Sequence, residues 1–142
     1  MTRSVLCALD VNQSTPHEQP LAVAADIAAR DGATLDVVAV LPDLGYGQVA
    51  SFLPADFADK ARADTRARLD DLVDRVVGDK VAKVRRQVVV GPVSSEVLRV
   101  AAIAGSDLIV VGSHEPTVSD RLLGSNAAQI VMHAKVSVYV VR

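Results

Sequence analysis

The residues with most chemistry to offer are few and widely spaced. Asp10 closes a short apolar run, SVLCALD, that begins at Ser4, and Gly112 follows another, DLIVV, that begins at Asp107. Gly124 and Ser125 then open a stretch with helical periodicity. Glycines let backbone amides approach a ligand closely, and a helix starting at Ser125 presents a positive N-terminal end, so this set suits an anion such as a phosphate. Each member also has an ordinary structural reading. Strand-end glycines make turns, Ser125 is a good helix N-cap, and Asp10 can cap a neighbouring helix. His17 with Glu18, and His114 with Glu115, are adjacent pairs that form no chelating face, and no other cluster has ligand spacing, so they read as solvated loop residues and no metal site is expected. His133 falls near the end of the last helical stretch, where a cation meets the helix dipole favourably. No G-x-S-x-G nucleophile motif occurs, and no residue is assigned a catalytic role.

The elements that must position these residues follow from apolar patterning. Runs at Ser4–Asp10, Thr34–Leu41, Val84–Val90, Asp107–Val111 and Val136–Val141 are short and aliphatic, as strands buried in a parallel sheet should be. Arg85, Arg86 and Gln87 give the third run the look of an exposed edge. Between the strands lie helical stretches. The first ends at Gly32 and starts either at a Thr15–Glu18 capping box with Pro16 or near Gln19. The second spans Ala55–Val77, with Leu69, Leu72, Val73 and Val76 inward and Asp70, Asp71, Asp74 and Arg75 turned to solvent. The third is Val93–Ala104, with Val93, Val97, Val100, Ala101 and Ala104 inward, and the last is about Ser125–Ala134. Pro42–Leu53 reads as the longest loop. The order βαβαβαβαβ predicts a doubly wound, five-stranded parallel sheet with helices on both faces, because right-handed crossovers must cover both sides. A ligand crevice in such a sheet lies at the carboxyl ends of the strands where their order reverses, which points to Asp10, Val40, Gly91 and the loop opened by Gly112.

Composition narrows the function. The 142 residues suit one domain, and a net charge of -2 with 3% aromatics offers neither a basic field nor a stacking platform for nucleic acid. The lone Cys7 sits in an apolar run, so an inert buried thiol is expected. Met1–Leu9 lacks the form of a secretory signal, and no apolar stretch is long enough to span a bilayer, so a cytoplasmic location without membrane contact is expected. A phosphorylated receiver would need an acidic cluster at the first strand end and an acceptor aspartate after the third. A flavodoxin would need more aromatics.

The segment DLIVVGSHEPTVSDRLLGSNAAQIVMHAKVSVYVVR, from Asp107 to Arg142, resembles the C-terminal signature of universal stress proteins. ALD after the first strand, ARDGATLDVVAVLP, and VVVGPVSSEVLRVA before DLIVVGS are similar to that family's successive elements in the same order. The resemblance covers nearly the whole chain. It implies a single domain over residues 1–142 with a Rossmann-like fold, of the kind shared with adenine nucleotide alpha hydrolases, serving as a stress-response binding or regulatory module rather than an enzyme.

ATP-binding members of the family carry a loop of glycine, two residues, glycine, nine residues, and glycine with serine or threonine. Gly112 matches the first glycine, and Gly124 with Ser125 matches the last pair. By the same resemblance, Asp10 looks like the carboxylate that contacts adenosine, and Val40 like the residue whose backbone lines the adenine. Glu115 stands where the middle glycine belongs, and eleven residues rather than twelve separate Gly112 from Gly124. A carboxylate repels a triphosphate, and a shortened loop redirects its amides. The chain therefore resembles the branch that does not bind nucleotide, with no cofactor expected. An ATP- or AMP-binding protein with nucleotide-dependent switching or weak hydrolysis is the alternative. The apolar run Val136–Val141 forms an edge that resembles the family's dimerising strand, so a homodimer is expected, broken by charge at Val138 or Val140.

Overall fold

Strands and helices alternate along the chain in the computed structural model, which describes residues 1–12, 18–41, 55–113 and 123–142. The elements are β1 (Ser4–Leu9), α1 (Gln19–Asp31), β2 (Thr34–Leu41), α2 (Phe57–Val76), β3 (Val84–Val90), α3 (Val93–Ala104), β4 (Leu108–Gly112), α4 (Ser125–His133) and β5 (Ser137–Val141). Pro20 lies in the first turn of α1, where a missing N–H costs nothing, so the helix takes the later of its two candidate starts. Thr15, Pro16 and His17, the loop at 42–54, and His114 and Glu115 lie outside the described residues.

The strands form one parallel sheet in the order β3-β2-β1-β4-β5. The chain steps outward from β1 to β2 and β3, then returns across β1 to place β4 on its other side, so the order reverses between β1 and β4. Alternation along each strand feeds two separate cores. Val5 and Cys7 of β1, with Leu35 and Val37 of β2, face α1 and α2 and meet Leu21, Leu69 and Val73. Leu6, Val38 and Ile109 face α3 and α4 and meet Val97, Val100 and Ile130. Burial drives the Cys7 thiol far above its ordinary value, which leaves it protonated and inert.

Polar residues tie the layers together more than their positions on helix surfaces suggest. The α2 charges do not simply solvate. Arg86 of β3 reaches Asp70 at 3.0 Å and Asp74 at 2.7 Å, and Arg75 meets both Asp71 and Glu18, linking α2 to the start of α1. Glu18 is therefore more than a solvated loop residue. On the other face Arg85 grips Asp36 with two hydrogen bonds, of 2.7 and 2.9 Å, and the Asp36 side chain is only 2% exposed. At the opposite end of β1, Asp107 accepts the N–H groups of Arg3 and Ser4, and these backbone donors hold its carboxyl below the usual range despite some opposing desolvation. Val93 and Ala104 of α3 are half-buried rather than fully inward.

Candidate functional site

At the carboxyl end of the sheet the strand order reverses between β1 and β4, the place where such sheets hold ligands, and all five sequence-derived candidates lie at this end. β1 ends at Leu9, so Asp10 emerges at its tip, and β4 ends at Gly112 on the adjoining strand. The register Leu9↔Ala39 places Val40 of β2 one step further along, level with Asp10. Gly124 comes to the same end because its N–H donates to the carbonyl of Ser113 at 3.0 Å. Ser125 follows as the first helical residue of α4. The sequence casts Ser125 as an N-cap, but Gly124 holds that position, with φ −59° and ψ 153° and no side-chain cap. Backbone geometry alone turns the chain there. The first-turn N–H groups of α4 have no acceptor inside the helix, which gives the crevice a weakly positive wall.

Gly112 has a role the sequence does not reveal. A Cβ built there would lie 3.2 Å from Pro20 Cγ, so the glycine lets the start of α1 close against the tip of β4. Its backbone φ is not in the left-handed range. Close approach, rather than an unusual turn, makes glycine fit.

A polar relay beside Asp10 was not legible as a site. Asp10 Oδ1 accepts the backbone N–H of Asn12 at 3.0 Å, a local turn that orients the carboxylate. Asn12 in turn donates from Nδ2 to Thr65 Oγ1 at 3.2 Å, and Arg68 donates to Asn12 Oδ1 at 2.8 Å. Thr65 is buried on α2 one turn before Leu69. That is the one available sequence signal: a hydroxyl at the apolar phase of a helix needs a partner. Asn12 thus links the crevice carboxylate to α2 and brings a guanidinium near it.

The two ends of the segment between β4 and α4 are fixed. Ser113 donates its N–H to Val141 of β5 at 2.9 Å and accepts from Gly124. The intervening chain must therefore start and finish at neighbouring points, so its length controls where its amides can point. His133 lies at the end of α4, exposed and within 3.2 Å of Gln129 Oε1, consistent with a helix-end role. Among the described residues no cluster of acidic, histidine or cysteine side chains could hold a metal ion. No helix among them is long and apolar enough to cross a membrane.

Known proteins resemble this chain in sequence and in fold. The pattern defining the Universal stress protein family matches residues 1–142. Universal stress protein G of Shigella flexneri is 30% identical over 145 residues, covering 100% of both chains. A solved universal stress protein in complex with cAMP superimposes with a TM-score of 0.74 at 23% identity, covering 99% of this chain and 97% of that one. The Archaeoglobus fulgidus universal stress protein in complex with dAMP gives 0.71 at 21% identity, covering 99% and 98%. At such identities these two structures speak to the fold alone.

Proposed function

Since the chain belongs to the Universal stress protein family, we propose that it is a cytoplasmic stress-response module acting by binding rather than turnover, as a homodimer joined through β5, with a degenerate nucleotide crevice. The observation that carries the ligand part is the 3.0 Å hydrogen bond from Gly124 to Ser113. Because the segment's ends are pinned together, the eleven residues between Gly112 and Gly124 cannot make up a missing residue by spreading their anchors. A loop one residue shorter than the ATP-binding pattern offers fewer amides to a triphosphate, and Glu115 brings a negative charge at the position of that pattern's middle glycine.

What remains is a smaller site. Asp10 stands at the tip of β1 with Val40 level with it, and the start of α4 offers one positive end. One helix start suits a single phosphate better than three. An adenosine monophosphate is therefore the second reading. It draws support from the cAMP and dAMP held by the two neighbouring structures.

Calorimetric titration with ATP and with AMP, each with magnesium, separates the readings. The degenerate crevice predicts no heat from ATP at concentrations where ATP-binding relatives saturate. AMP binding that is lost in Asp10→Ala would establish the second reading, and tight ATP binding would overturn the first.

A further inference from the structure

A pocket of about 190 Å³ lies between α3 and α4, at the end of the sheet opposite the crevice. Leu98, Ala102 and Ile109 are among its walls, and the exposed His133 and Lys135 also line it. Ser106, just beyond α3, also lines it.

Ser106 is an unusual residue for its position. Its N–H donates to Ala101 at 3.0 Å, while Gly105 donates to Ala102 at 3.3 Å, a closure that normally places an apolar side chain at the Ser106 position. Here the residue is a serine, 6% exposed, whose hydroxyl has no hydrogen-bond partner among the described residues. The buried hydroxyl of Ser4 shares that condition, and Ser4 lies on the same face of β1 as Leu6, which α3 covers. Buried hydroxyls are costly to leave unpaired, so an apolar pocket bordered by one calls for a ligand atom that can pair with it.

We propose that this pocket is a binding site for a small molecule of the phenol class, its ring against Leu98, Ala102 and Ile109 and its hydroxyl paired with Ser106 Oγ. The size fits, since an apolar cavity of about 150 Å³ holds benzene. Lys135 disfavours an ammonium ligand and favours a neutral or weakly acidic one. Ser106 Oγ is buried as it stands, so a ligand must turn the side chain toward the pocket to pair with it.

Fluorine NMR of para-fluorophenol with the full-length protein tests the site, using para-fluorotoluene as the probe without a hydroxyl. The expected dissociation constant for so small a ligand is on the order of 1 mM. Ser106→Ala should weaken para-fluorophenol about fivefold and leave para-fluorotoluene unchanged. Ala102→Phe, at an exposed position on the pocket wall, should remove binding of both. No line broadening at ~10 mM, equal affinity for the two probes, or an unchanged constant in both variants would overturn the site. If Ser106→Ala does not fold, the comparison of the two probes on the unaltered protein still decides the matter.

Discussion

At β3 the sheet ends in a strand whose first half carries Arg85 and Arg86, pointing to opposite faces and each held by acidic partners: Asp36 on one side, Asp70 and Asp74 on the other. At β5 it ends in Ser137–Val141, where Val138 and Val140 lie against the α3–α4 core and Tyr139 stands 47% exposed on the far face. Both strands have a row of backbone groups with no neighbour in the sheet. One edge is crowded with fixed charge, a common way of refusing another strand, and the other is short and apolar. The difference fits the assembly proposed above: β3 is anchored inward by its ion pairs, and β5 is left as the apolar edge.

The largest expected effect comes at β5. Sequence alone favours charge at Val138 or Val140, but both pack on the core, so such changes disturb folding and assembly together. Tyr139→Glu leaves that core alone, so a homodimer paired through β5 as proposed should become monomer by light scattering, with the circular dichroism unchanged. A persistent dimer would mean that β5 is not the pairing strand.

Next in size is Arg85→Ala, which leaves Asp36 charged and buried without its cation. Removing one partner of a fully buried pair costs ~3–5 kcal/mol, but Arg85 is itself half-exposed, so about 2 kcal/mol is expected, seen as a Tm lower by roughly 6 °C. The same variant removes one of the charges guarding β3 and should promote association beyond the dimer. Adding Asp36→Leu should restore most of the stability, because the orphaned charge goes with it. If the double variant is no better than the single, the cost lies elsewhere.

Arg86→Ala should matter less. Its partner Asp74 is exposed and the half-buried Asp70 keeps Arg66, so about 1 kcal/mol is expected in a chemical denaturation experiment. A loss as large as that of Arg85→Ala would erase the distinction drawn between the two faces of β3.

The smallest effect is acid-dependent and concerns the central strand, which serves as a control for both edges. The N–H of Arg3 foremost, with that of Ser4, holds the folded Asp107 below an ordinary aspartate, while desolvation opposes them. A depressed folded value gives stability that is present above the unfolded value of about 4 and is lost as pH falls through the folded one. The Tm should therefore fall between about pH 5 and pH 2, and Asp107→Asn should show a lower neutral Tm and a shallower fall. Equal slopes in the two proteins would remove Asp107 from the account.

The architecture was readable because its physics is local and repetitive. Aliphatic runs such as TLDVVAVL and DLIVV mark buried parallel strands, and the helices between them force crossovers that leave few possible strand orders. The position of β5 at an edge follows from that order. The placement of Asp10 and Gly112 at strand ends beside the reversal, and of Val40 near the end of β2, was legible for the same reason. The contacts that shape the crevice were not. Pro20 against Gly112, and Thr65 with Arg68 around Asn12, join residues more than fifty positions apart or on different layers, and no periodicity reports such a pairing. Asp36 left a fainter trace: a carboxylate inside an aliphatic strand requires a cation beside it, but only the β2–β3 register shows that the cation is Arg85.

Native mass spectrometry of the freshly purified protein tests the central claim most directly, because one spectrum reports both assembly and cargo. The account predicts the mass of a homodimer carrying no triphosphate. A monomer, or a dimer retaining ATP through gentle ionisation, would contradict it.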